Sequence, residues 1–128
     1  MLSKKKVLLV DDSQTVLLME KMILTKGPYV LVVARDGEEA IVKAEQERPD
    51  VILMDVVMPR MNGIEACRAI RSNKTTADIP IIMVTTRGEE ENVEAGYASG
   101  CNDYITKPIN GVELLTKLQN VLATAGAA

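Results

Sequence analysis

Four separated apolar runs in this chain each stop at a residue that carries chemistry. Val7-Leu8-Leu9-Val10 runs into Asp11-Asp12, Val51-Ile52-Leu53-Met54 into Asp55, and Ile81-Ile82-Met83-Val84 into Thr85. Tyr104-Ile105-Thr106 leads into Lys107-Pro108. Short apolar runs bounded by turn residues read as strands buried on both faces, the habit of a parallel sheet. If these runs lie side by side, three carboxylates, a hydroxyl and an ammonium meet at one sheet edge. That is a set suited to binding an ion and handling a phosphoryl group.

The whole chain alternates strand and helix five times. Strands are expected near 5–10, 30–34, 50–55, 80–84 and 103–106. The first helix is expected from Ser13, a good N-cap, to Lys26, stopped by Gly27-Pro28. Its inward stripe reads as Val16, Met19 and Ile23, leaving Glu20 and Lys21 in water. The second opens at Asp36-Gly37-Glu38-Glu39, which resembles a capping box in which Glu39 reaches back to Asp36. Ala40, Ile41 and Ala44 then face the sheet. The third opens after Pro59 near Asn62, with Ile64, Cys67 and Ile70 inward. The fourth, about 89–99, is the weakest, because Gly96 interrupts it at a cost of ~1 kcal/mol against Ala. Glu89-Glu90-Glu91 suits its N-terminus through the helix dipole, and a marginal helix is a natural moving part. The last runs from Gly111 to Ala123 on Val112, Leu115, Leu118 and Leu122. Alternating units of this kind require right-handed crossovers and helices on both faces of the sheet, with the site beyond the carboxyl ends of the strands.

Composition narrows the chemistry. At 128 residues, with 47% hydrophobic content, the chain suits one domain with its own core. Residues 1–124 are expected to form it, and 125–128 a flexible tail. With three Tyr, no Phe and no Trp, that core is aliphatic, and the seven Met read as filler within it. Histidine is absent, which removes Ser-His-Asp hydrolysis, His-ligated zinc and any phosphate relay through a histidine of this chain. Cys67 and Cys101 fit no metal spacing and read as reduced thiols of a cytoplasmic protein. The net charge of −3 argues against nonspecific nucleic-acid binding, and Lys4-Lys5-Lys6 reads as a solvated lead-in to the first strand. The apolar run that follows is four residues long, against roughly 7–15 for a signal core, and no stretch is suited to membrane insertion.

At the strand ends, Asp11-Asp12 alone is as well explained as a capping pair. Asp55 is not, because it stands between apolar residues where a lone charge is costly. A carboxylate there is also a nucleophile towards phosphorus. Mg²⁺, with Mn²⁺ as an alternative, suits one or two such carboxylates. Lys107 alone is an ordinary loop lysine and Thr85 alone an ordinary β-former; together with the acids they complete a phosphoryl site.

Along nearly its whole length the chain resembles a bacterial response-regulator receiver domain of the single-domain chemotaxis type. The resemblance is carried by Val10-Asp11-Asp12-Ser13, Met54-Asp55-Val56-Val57-Met58-Pro59 with Gly63, Val84-Thr85, and Tyr104-Ile105-Thr106-Lys107-Pro108. It implies a flavodoxin-like (βα)5 α/β fold with strand order 2-1-3-4-5. It implies that Asp55 accepts phosphate from a partner histidine kinase, with Mg²⁺ held by Asp11 (through water), Asp12, Asp55 and the Val57 carbonyl. Thr85, Thr86 and Lys107 would bind the phosphoryl oxygens, and the bond before Pro108 would be cis. Thr85 and Tyr104 would form the switch, read by a downstream protein on the face of helix 4, strand 5 and helix 5. No substrate turnover is expected beyond self-phosphorylation from a donor and autodephosphorylation. Thr86 stands where the family commonly has Ala or Gly. Val57 and Arg87 occupy the positions that tune hydrolysis, and Val57 cannot orient a water, so a long-lived phosphorylated form is expected.

Three rivals differ at particular residues. A pseudo-receiver would keep the fold and lose the chemistry, whereas the acids, Thr85 and Lys107 are all present. A dehalogenase-type phosphatase needs a second acid at the place of Val57. A flavodoxin-like electron carrier needs a phosphate loop where Asp11-Asp12 would repel the flavin phosphate.

Overall fold

The computed structural model describes residues 4–86 and 90–126. Its elements in chain order are β1 (Lys5–Val10), α1 (Gln14–Leu24), β2 (Tyr29–Ala34), α2 (Gly37–Glu47) and β3 (Val51–Asp55). They continue with α3 (Gly63–Ser72), β4 (Ile81–Thr86), α4 (Glu90–Ser99), β5 (Asp103–Lys107) and α5 (Gly111–Gly126). The five strands form one sheet in the order β2-β1-β3-β4-β5, with every pair parallel. The expected (βα)5 fold and strand order are therefore observed.

Strand periodicity divides the core in two. Leu8 and Val10 of β1, Ile52 and Met54 of β3, and Ile81 and Met83 of β4 point to one face. There they meet Ala40 and Ala44 of α2 and Ala66, Cys67 and Ile70 of α3. Val7 and Leu9, Val51 and Leu53, Ile82 and Val84, with Ile105, point to the other face. They meet Leu17 and Leu24 of α1 and Leu114, Leu118 and Val121 of α5. Both layers exclude water, so each large aliphatic side chain contributes about 1.5–3 kcal/mol. This two-sided burial is what holds the carboxyl ends of β1, β3, β4 and β5 in fixed register. Cys67 and Cys101 are buried free thiols.

Helix rotation is where the structure departs from the sequence expectations. In α1 the buried residues are Leu17, Glu20 and Leu24; Met19 is exposed and Val16 and Ile23 are half-buried. The helix is turned by one residue, and Glu20, expected in water, is 1% exposed. Apolar side chains surround most of this helix, so two adjacent stripes satisfy the same spacing. α1 also stops at Leu24, two residues before Lys26. In α5 Leu114, Leu118 and Val121 are buried, Leu115 and Leu122 are half-buried, and Val112 is 77% exposed. That helix continues to Gly126, so Ala125 and Gly126 are helical.

The caps also differ. Asp36 accepts from Glu39 N at 2.8 Å, but Glu39 Oε1 reaches Arg35 N at 2.6 Å instead of Asp36. A full capping box opens α3, where Asn62 and Glu65 bond each other's backbone. In α4, Gly96 does not break the helix. A Cβ there would stand 3.3 Å from both Cys101 Sγ and Met83 Cγ, so the glycine lets α4 lie close on β4. The expected helix start at Glu89, together with Arg87 and Gly88, lies outside the described residues.

Candidate functional site

Parallel register brings the strand ends together. Asp11 follows β1, and its backbone N–H bonds Ala34 O of β2 at 3.2 Å. Asp11 is 1% exposed, and its Oδ1 accepts from Ser13 N at 2.8 Å, which fixes the turn into α1. Ser13 in turn caps α1 through Val16 N. Asp55 is the last residue of β3 and is 3% exposed. The loop after it is held by Val56 N on Val84 O at 3.1 Å and by Gly63 N on Val56 O at 2.8 Å. A Cβ on Gly63 would overlap the Asp55 carbonyl oxygen, so this close approach needs glycine.

Lys107 ends β5 and reaches across the edge. Its Nζ lies 3.3 Å from Asp55 Oδ1 and 3.3 Å from Asp11 Oδ2. One carboxylate oxygen from each of Asp11, Asp12 and Asp55 can be chosen so that all lie within 4.8 Å of one another. Asp12 is exposed and the other two are buried. Thr85 is 2% exposed, and its Oγ1 has no hydrogen-bond partner; Asp11 Oδ2 likewise accepts no hydrogen bond beyond its ion pair. The peptide bond between Lys107 and Pro108 is cis. Val57 is 60% exposed beside the pocket and Thr86 is exposed; Arg87 is outside the described residues.

The electrostatics follow from burial. Burial pushes the Asp55 carboxyl from 3.8 up to about 6. Asp11 adds to the shift, while Lys107 and the Val57 backbone N–H oppose it. Burial alone would lower the Lys107 pKa; the carboxylates of Asp55 and Asp11 outweigh it and the net shift is upward. The ammonium is therefore secure, and the pocket carries an excess of negative charge that a cation relieves.

Two neighbours were not legible as part of this region. Glu20 is buried in the apolar stripe of α1 with Oε1 unpartnered. Burial raises its pKa to about 8; Asp11 adds to this, Lys107 opposes it, and Asp55 adds a little. The available signal was an acid placed where an apolar residue continues the Leu17–Leu24 spacing. Lys117 of α5 is the second. Its Nζ donates to Tyr104 O at 2.6 Å and stands 4.8 Å from the centre of the Tyr104 ring. That ring, half-buried, meets Tyr97 of α4 edge-on at 6.1 Å. Sequence spacing gave no indication of this contact, because it joins three elements.

The response regulator receiver domain family matches residues 7–119. Protein PilH of Pseudomonas aeruginosa is 39% identical over 92% of this chain and 98% of its own length. The chain spans about half the length of other curated relatives, among them the alkaline phosphatase synthesis transcriptional regulatory protein PhoP of Bacillus subtilis (38% identity, 92% of this chain, 48% of PhoP). Among solved structures, the Vibrio cholerae chemotaxis protein CheY4 superposes with a TM-score of 0.86 at 39% identity, over 93% of this chain and 99% of that one. The receiver domain of a Pseudomonas aeruginosa sensor histidine kinase gives 0.87 at 31% identity, over 94% and 99% respectively. That structure carries magnesium coordinated in its active-site cleft.

Proposed function

The chain belongs to the response regulator receiver family, and from that premise we propose that it is a phosphorylation-activated switch of a two-component system. Asp55 is the acceptor. One of its carboxylate oxygens attacks the phosphorus of a kinase phosphohistidine. The P–N bond breaks as the P–O bond of an acyl phosphate forms, and the imidazole leaves with its electron pair and takes up a proton.

The observation that carries this reading is the buried Asp55 carboxylate paired to Lys107 at 3.3 Å, with Asp11 sharing the same ammonium. Lys107 is already placed to follow charge from the carboxylate to a phosphoryl group. Thr85, buried with a free hydroxyl, is the donor for another phosphoryl oxygen, and Thr86 supplies its backbone N–H. The all-oxygen donor set of Asp11, Asp12 and Asp55 fits a hard divalent ion. Mg²⁺, or Mn²⁺, would be held by Asp12, Asp55 and the Val57 carbonyl, with Asp11 acting through water. The ion would offset the charge of the acids and of the incoming phosphate.

Phosphorylation then draws Thr85 towards the phosphate, and Tyr104 turns into the space it leaves. A downstream protein reads the resulting change on the face of α4, β5 and α5. Chemotaxis-type signalling fits the likeness to the chemotaxis protein CheY4. No described helix is long and apolar enough to cross a membrane, and reduced, buried cysteines suit a cytoplasmic setting.

The competing reading is a pseudo-receiver that binds partners without phosphorylation. Beryllofluoride with Mg²⁺ separates the two. A switch responds with shifts of Tyr104 and α4 signals that vanish in Asp55→Ala; a pseudo-receiver gives no response.

A further inference from the structure

The switch reading leaves unexplained what holds Tyr104 before phosphorylation, and one side chain in this structure touches it twice. Lys117 is the only cation in α5. Its ammonium bonds the Tyr104 carbonyl at 2.6 Å and covers the Tyr104 ring at 4.8 Å. The same ammonium pairs with Asp103 at 3.6 Å and Glu113 at 3.9 Å. Asp103 Oδ1 also accepts from Tyr104 N at 2.8 Å. β5 is an edge strand, so Lys117 closes over backbone that no further strand covers.

The ion pairs alone are too exposed to matter much, since such pairs contribute little. The ring contacts are different. The Tyr104 ring lies against the Tyr97 edge, with planes at 89°, and beneath the Lys117 ammonium. An inward turn of the ring breaks both contacts together, while the backbone bonds to Lys117 and Asp103 remain. The arrangement therefore resists rotation of the ring and leaves the strand in place.

We propose that Lys117 is a positioning residue for Tyr104, clasping its ring against Tyr97 in the resting protein and opposing its inward turn. This rests on the reading of the chain as a phosphorylation switch. Glu113 and Asp103 orient the ammonium, so Lys117 ties α5 to β5, and the Tyr104 ring carries the link on to Tyr97 of α4.

The test is NMR of ring-labelled tyrosine in the full chain, with and without beryllofluoride and Mg²⁺. In Lys117→Met without beryllofluoride, Tyr104 signals move towards their beryllofluoride positions, with about a two- to fivefold rise in that population, because only the contact over the ring differs between the two states. Lys117→Arg, which keeps the cation, stays near the wild type. Tyr104 signals in Lys117→Met that coincide with unliganded wild type overturn the proposal. Should Lys117→Met not fold, Lys117→Gln serves instead, because it keeps a donor for the Tyr104 carbonyl and removes the charge over the ring. Its Tyr104 signals move in the same direction; signals that coincide with unliganded wild type overturn the clasp. A wild type in which beryllofluoride itself leaves Tyr104 unmoved fails the switch reading, which is a different result.

Discussion

Lys107 stands at equal distance, 3.3 Å, from Asp55 and from Asp11. One ammonium thus compensates two buried carboxylates, and both depend on it. Replacing it by Met leaves them facing each other without a cation. Lys107→Met is expected to lower stability by about 2–3 kcal/mol in metal-free buffer at neutral pH, and added Mg²⁺ to restore part of it. Urea denaturation with and without the metal checks this. An unchanged midpoint would show that the pair is not structural.

Glu20 gives the fold an unusual pH dependence. In the unfolded chain it ionises near 4.5, and in the folded one near 8. Between these values the native state holds one more proton than the unfolded state, so stability falls as pH rises, by about 1.4 kcal/mol per unit from this group alone. Asp55 adds in the same direction between 3.8 and about 6. Glu20→Leu, which continues the stripe of Leu17 and Leu24, is expected to flatten the profile from pH 6 to 8 and to be more stable than wild type at pH 8. Parallel profiles for the two proteins would contradict this.

Thr85 Oγ1 is buried without a partner. Removing the hydroxyl while keeping the shape therefore costs the resting fold little. Thr85→Val is expected to change stability by less than about 1 kcal/mol. The same variant is expected to lose most of the beryllofluoride response at Tyr104. A normal response would show that the hydroxyl is not what senses the phosphate.

Val57 presents an apolar side chain, 60% exposed, beside the acceptor. It holds no water in line for attack on the acyl phosphate. Val57→Asn is expected to speed phosphate loss roughly tenfold, less than the 10²–10⁴-fold of a positioned general base because an amide orients the water without taking its proton. A release time course equal to wild type would shift attention to Thr86.

The strand-end site was legible because each of its residues follows a run buried on both faces; β3, with all five residues buried, has little alternative to a central position. Helix orientation was less legible. Leu17, Leu18, Met19, Met22 and Ile23 surround α1, so spacing could not choose between the stripe through Met19 and the one through Glu20. The choice is made in the fold by the packing of Leu17 and Leu24 on the sheet. The same ambiguity exchanged Val112 for Leu114 in α5. Lys117 was invisible for another reason: its role exists only once Tyr97 and Tyr104 are neighbours.

Asp55 as the phosphate acceptor is open to mass spectrometry of the chain after treatment with acetyl phosphate and Mg²⁺. One phosphate adduct is expected on the wild type, absent from Asp55→Ala and greatly reduced in Lys107→Met. No adduct on the wild type, or an equal adduct on Asp55→Ala, would contradict it.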